Sequence, residues 1–277
     1  MKSSACILMC LYSVGVLATK FLIMTTLNNS NFGLNGLRAL VTGGGSGIGR
    51  AIADAMINAG ATVVVCDVND STKPNYICDV SKTNDVEAMF AAIERDLGGL
   101  DILVNNVGVP GPTARVDEMD PDAYDECVRI NLGGTFRCTH VAVPMLLKSK
   151  GSIINISTSA GIYGYPLRSP YVAAKWGIIG LTKSWAMELG EFGVRVNAIC
   201  PGSVSGPRMD GVIEREALAT GTTASDIRTG YEKQVSLQTF VDASDIAASA
   251  VFLSSPAARF ITGQVLPVDG NIETMRA

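Results

Sequence analysis

The sequence predicts one doubly wound α/β domain, a parallel sheet of about seven strands with helices on both faces. Three observations predict it. Short apolar runs rich in Val, Ile and Leu alternate with longer segments of helical periodicity. A glycine-rich stretch, Thr42-Gly43-Gly44-Gly45-Ser46-Gly47-Ile48-Gly49, falls where the first strand hands over to the first helix. No linker rich in Pro, Gly or Ser, no internal repeat and no low-complexity block divides the 277 residues. Alternating strand and helix imply right-handed β-α-β units, and near-continuous apolar strands imply a sheet covered on both sides.

The elements follow in order. Residues 37–42 read as a buried strand and 47–59 as the helix that the glycines open. Residues 62–66 are a second strand, all β-branched or small. A helix runs from Ser81 to about Asp96, and 102–105 is the next strand. Residues 121–131 and 136–148 read as two helices, 152–157 as a strand and 169–189 as a long helix. Residues 194–199 and 264–268 are late strands, with a helix over 244–253 between them. One segment breaks the rhythm: from about 203 to 241 the chain is polar, charged and long, and reads as one or two short helices. Excursions at the carboxyl ends of strands are where α/β proteins place substrate lids, a plain surface loop being the alternative. Residues 33–277 are thus one domain and 1–32 an N-terminal extension.

Composition narrows the classes. Hydrophobic residues make up 47 % and charged residues 17 %, which suits a large core. A net charge of −4 gives no electrostatic case for nucleic acid. The single histidine, His140, lies in an apolar helical pattern, which excludes a multi-histidine metal site, argues against a Ser-His-Asp hydrolase, and makes His140 structural or surface. The seven cysteines form no C-x-x-C pair and read as reduced, buried hydrophobes of a cytoplasmic protein. Residues 5–18 form an apolar run behind Lys2, broken by Lys20. It is similar to a signal-peptide core but short for a membrane span. A true start at Met24 is the preferred reading, with a signal or anchor as the alternative.

Two stretches carry chemistry. In the glycine stretch, Gly43 permits the turn, Gly47 lets the backbone approach a pyrophosphate, and Gly49 lets helix and strand pack closely. The helix N-terminus that follows offers N–H groups to phosphate. Asp67, after the second strand, is placed to accept from ribose hydroxyls and to repel a 2′-phosphate, and Ser46, Val68 and Asn69 add no basic group, so NAD is expected over NADP. The second stretch is Tyr171-Val-Ala-Ala-Lys175. Tyr and Lys four apart share a helix face, and a fixed positive charge favours phenolate over phenol.

With Asp79-Val80, Asn105-Asn106-Val107-Gly108, Asn131, Pro201-Gly202 and Val268-Asp269-Gly270 added, residues 36–271 resemble the short-chain dehydrogenase/reductase family, whose domain is of the Rossmann type. The resemblance implies that Tyr171 is the catalytic acid/base and that Lys175 binds the nicotinamide ribose. It implies that Asn131 holds a water in a proton relay, that Asp79 and Val80 hold the adenine, and that Asn105 to Gly108 steady the sheet beside the cofactor. Gly43, Ser46, Gly47, Ile48, Gly49, Asp67, Pro201, Gly202 and Val204 complete the implied cofactor site. This chain departs from the family in three places. Val107 replaces the usual Ala. Thr158 occupies the position of the catalytic serine, thirteen residues before Tyr171, with Ser157 and Ser159 as alternatives. Gly206 stands where the family often has a threonine that contacts the carboxamide.

The expected activity is interconversion of a secondary alcohol and its ketone with NAD, needing no metal. A dehydratase or epimerase on the same scaffold, or a non-catalytic nucleotide sensor, are the alternatives. Arg168, Arg208 and Arg228 are candidates to meet a carboxylate or phosphate on the substrate, unless solvated or packed against Glu214, Glu216 and Glu232. The apolar helices near 121–148 and 169–189, with the resemblance, imply a homotetramer.

Overall fold

The computed structural model describes residues 31–272. The expectations for the extreme N-terminus, including Cys6 and Cys10, fall outside these residues. Asn31 and Phe32 already belong to the packed body: the Asn31 carbonyl accepts from Ala257 N–H at 2.9 Å, and the Phe32 ring lies 6.2 Å from that of Phe252.

The sheet has seven parallel strands, β1 (Arg38–Thr42), β2 (Thr62–Asp67), β3 (Tyr76–Ile77), β4 (Ile102–Asn105), β5 (Ser152–Ile156), β6 (Arg195–Pro201) and β7 (Val265–Val268), in the order β3-β2-β1-β4-β5-β6-β7. Six match the apolar runs read from the sequence. The seventh, β3, is only two residues long, too short to carry a period of its own. The order reverses between β1 and β4, so the loops leaving these strands diverge and open a crevice at their carboxyl ends.

The helices are α1 (Gly47–Asn58), α2 (Thr83–Leu97), α3 (Pro121–Val128), α4 (Gly134–Ser149), α5 (Ser169–Gly190), α6 (Pro207–Thr220), α7 (Ala224–Lys233) and α8 (Ala243–Ser254). Helical spacing fixes their buried faces: Gly49, Ile52, Ala53 and Met56 on α1, and Val86, Met89, Phe90 and Ile93 on α2. A side chain as fully buried as Phe90 contributes about 1.5–3 kcal/mol by leaving water. One core lies between the sheet and α2, α4 and α5, and a second between the sheet and α1 and α8.

The structure corrects the gap expected between residues 131 and 136. α3 and α4 are joined by a π-helical turn, Arg129–Gly133, without a break. Gly133 and Gly134 fall in that gap, and Gly134 is buried where an added Cβ would sit 2.6 Å from Val80 Cγ2. The glycine there serves close packing. The polar segment after β6 forms α6 and α7, which share a small core of their own, Ile213, Tyr231 and Phe240, joined by Tyr165, Met209 and Ile227.

Candidate active site

A cavity of about 480 Å³ opens at the carboxyl ends of the strands. Its lining includes Gly43, Ser46, Gly47, Ile48, Gly49 and Asp67 at one end and Thr158, Tyr165, Arg168, Tyr171 and Lys175 at the other. Pro201 to Met209 form the wall that leads into α6.

The first end fits a dinucleotide. Gly47 has φ +54° and open space at its Cβ position, which leaves the backbone accessible to a ligand. A Cβ on Gly49 would lie 2.2 Å from the Gly43 carbonyl oxygen, so only glycine lets α1 start this close to β1. Ser46 makes no side-chain capping bond and the first turn of α1 holds no acid, so the helix N-terminus is left open to an anion. Asp67 accepts from Gly45 N–H at 3.2 Å and Asn69 N–H at 3.0 Å, which fixes its carboxylate at the mouth of the turn. Thr42 and Asn106 tie the two diverging loops together: Thr42 Oγ1 accepts from Asn106 N–H at 3.0 Å, and Asn106 Nδ2 donates to the Thr42 and Gly43 carbonyls at 3.0 and 3.1 Å.

At the other end, Tyr171 and Lys175 lie on one face of α5, with Lys175 Nζ 5.8 Å from the Tyr171 ring centroid. Lys175 is buried and donates to the Ile156 carbonyl at 2.9 Å. Burial, then the nearby charge of Arg208, push its pKa down to about 7. The three hydroxyl residues at the end of β5 all line the cavity and differ in their bonds. Ser157 Oγ donates to the Lys175 carbonyl at 2.9 Å, and Ser159 Oγ meets Asp269 at 3.1 Å. Both are buried. Thr158 is half-buried, and its longest-range contact is a weak one, 3.4 Å to the Pro201 carbonyl.

Asn131 sits in the π-helical turn, where its Nδ2 donates to the Cys127 and Val109 carbonyls at 2.8 and 3.1 Å. Its Oδ1 is buried without a partner. The Cβ position of Gly108 lies 2.8 Å from that oxygen and 3.3 Å from Lys175 Nζ, so the two groups converge beside Gly108. Asn105 lies behind the cavity and crosslinks the sheet, donating to Thr139 Oγ1 at 3.0 Å and Asn155 Oδ1 at 2.9 Å.

Not every expected residue lines the cavity. The Asp79 carboxylate accepts from Ser81 N–H and Oγ at 3.0 and 2.6 Å, and Val80 is buried against the Gly134 position. Arg228 pairs with Asp210 and covers Phe240, away from the lining. Val204, Gly202 and Gly206 are in the wall. His140 is exposed and stacked on Phe136 at 5.8 Å. Cys66, Cys78, Cys127, Cys138 and Cys200 are buried and unbonded. One contact was not legible in the sequence: the Tyr165 hydroxyl is hydrogen-bonded to that of Tyr231, which also donates to Glu216 at 2.7 Å. Tyr231 lies 66 residues on, and no local pattern links the two.

Glycine turn, a carboxylate at its mouth and a Tyr–Lys pair in one crevice define a Rossmann-fold oxidoreductase. Residues 43–271 match the family model described as enoyl-(acyl carrier protein) reductase. The chain is 38 % identical over 254 residues to D-beta-hydroxybutyrate dehydrogenase of Cupriavidus necator, covering 86 % of this chain and 98 % of that one. It is 36 % identical over 244 residues to L-fucose dehydrogenase of Bos taurus, covering 84 % and 88 %. The crystal structure of an NAD+-bound xylitol dehydrogenase superposes with a TM-score of 0.81 at 28 % identity, covering 86 % of this chain and 99 % of the other. The chain belongs to the short-chain dehydrogenase/reductase family.

Proposed function

We propose that the protein interconverts a secondary alcohol and its ketone with NAD(H). The observation that carries this reading is the opening of Thr158, Tyr171 and Lys175 into the same cavity as the glycine turn and Asp67. The Gly43 to Gly49 turn and the start of α1 would hold the diphosphate, Asp67 the adenosine ribose, and Lys175 the nicotinamide ribose. NAD, when bound, supplies the acceptor for the hydride that leaves the carbinol carbon. Tyr171 takes the hydroxyl proton as the C=O bond forms, and Thr158 Oγ1 donates to the same oxygen. Asn131, with its unpartnered Oδ1, is suited to hold a water that passes the proton on from the Tyr171–Lys175 pair.

A panel of secondary alcohols assayed with NAD and NADP in parallel, read by absorbance of the reduced cofactor, tests this. Oxidation with NAD and much less with NADP is expected, because the Asp67 carboxylate opposes a 2′-phosphate. Equal rates with both would remove Asp67 from that role. Single replacements of Ser157, Thr158 and Ser159 by Ala should separate the hydroxyls. Thr158→Ala is expected to cut turnover roughly a hundredfold, the scale of one lost donor to a reacting oxygen. A larger loss at Ser157 or Ser159 would move the role there.

The relatives' names span a hydroxy acid and sugars, so they leave the substrate class open. We also assign a homotetramer, supported by the exposed Phe136 on α4 and Trp176 and Met187 on α5. Light scattering that finds a monomer would end that assignment. A cytoplasmic location is supported by the cysteines among the described residues, which are buried free thiols. No helix among the described residues is long and apolar enough to cross a membrane.

A further inference from the structure

Arg168 stands immediately before α5 and is 7 % exposed. The residue before it, Leu167, holds φ +64°, a left-handed conformation that is strained for a non-glycine residue. The turn therefore carries strain, and it delivers a charged side chain inward. Among the described residues the Arg168 guanidinium makes one hydrogen bond, from Nη2 to the Pro110 carbonyl at 2.7 Å. Its carbon lies 5.7 Å from the Tyr165 ring centroid and 5.2 Å from that of Tyr171. Its Nε is buried with no partner, and it forms no ion pair with a described carboxylate.

A buried charge without a counter-ion is costly. Stacking on tyrosine returns only part of that cost. An unsatisfied polar group of this kind points to a missing ligand.

A second guanidinium stands nearby. Arg208, in the first turn of α6, donates Nη1 to the Gly108 carbonyl at 3.1 Å and forms no ion pair among the described residues. Arg168 and Arg208 thus brace against the same loop, two residues apart. The cavity lining holds one acid, Asp67, which belongs to the glycine-turn end. The other end carries Arg168, Arg208 and Lys175 with no lining carboxylate, in a chain whose net charge is −4.

We propose that Arg168, assisted by Arg208, binds a carboxylate of the substrate, so that the substrate is a short hydroxy acid and not a neutral alcohol or polyol. This rests on the dehydrogenase reading for its chemistry, though not for the anion site itself. The planar fork of a guanidinium matches the two oxygens of a carboxylate. The 5.2 Å from the guanidinium carbon to the Tyr171 ring leaves only a few bonds between the carboxylate and the reacting carbon. Arg168 acts as a specificity residue: it places the carbinol against Tyr171 by holding the other end of the molecule.

The test compares kcat/KM, with NAD, for short 2- and 3-hydroxy acids and for their methyl esters. The acid should exceed its ester by about 10- to 100-fold, the scale of charge-assisted hydrogen bonds. Arg168→Gln should remove about that factor on the acid and far less on the ester, and Arg168→Lys should restore part of it. Arg208→Gln, at an exposed position, should shift the ratio in the same direction by less. Esters that match acids, or an Arg168→Gln loss equal on both, would overturn the proposal and leave the dehydrogenase reading standing. Calorimetric binding of malonate to the NAD-loaded protein reads the anion site without turnover. Malonate bound by the parent and lost in Arg168→Gln supports the site even if no alcohol is oxidised. No malonate binding by the parent, or equal binding by both, refutes it.

Discussion

Tyr171→Phe is expected to retain cofactor binding and to lose between about a hundredfold and ten-thousandfold in turnover, the range for removal of a positioned acid/base. The substitution is a narrow one. The ring is half-buried and faces the cavity, with Arg168 at 5.2 Å and Lys175 at 5.8 Å from its centroid. Phenylalanine keeps the ring, its packing and its attraction for both cations, and removes only the group that takes the proton. Cofactor affinity, read by fluorescence titration with NADH, separates damage to the cavity from damage to the chemistry. A variant that turns over like the parent would end the assignment of Tyr171.

The second large effect concerns Lys175. Its ammonium is buried, and burial followed by the charge of Arg208 lowers its pKa from 10.5 to about 7. In the unfolded chain it keeps its proton up to about pH 10.4. Between those values the unfolded chain holds one more proton than the folded one. Stability of the cofactor-free protein therefore rises with pH across this window, by about 1.4 kcal/mol per unit from this group, and the cost is fully present below pH 7. Lys175→Met removes that rise. Other titrating groups act in both proteins and cancel in the difference. Urea midpoints from pH 7 to 10 check it, and curves that stay parallel would show that the folded ammonium holds its proton normally. The loss of the bond to the Ile156 carbonyl lowers the variant's stability at every pH and does not affect the slope.

Much of the fold was legible because its signals are local. Periodicity alone locates α1, α2 and six strands, and the glycine turn between β1 and α1 locates the crevice. What escaped depends on contacts distant in sequence. Ser157, Thr158 and Ser159 all line the cavity, and what distinguishes them is a bond from Ser157 to the Lys175 carbonyl and one from Ser159 to Asp269, 110 residues beyond it. Arg168 and Arg228 look alike in the sequence. One ends buried between two tyrosines, and the other pairs with Asp210, four residues into the preceding helix. The gap expected after Asn131 failed because Gly134 answers to Val80, a neighbour that no helical pattern reveals.

The small cluster of Ile213, Tyr231 and Phe240 bears on how molecules enter and leave. It shares no side chain with the two layers that flank the sheet. The pair of helices it unites buries only a handful of apolar side chains of its own, so its local stability is expected to be lower than that of the strands. Its ties to the rest of the domain include the tyrosine pair, Tyr165 with Tyr231, the bond from Arg208 to the Gly108 carbonyl, and the bridge of Val235 to Ile272. The wall of the crevice on this side thus rests on polar contacts and two short bridges, and the layered core beneath the sheet takes no part in holding it.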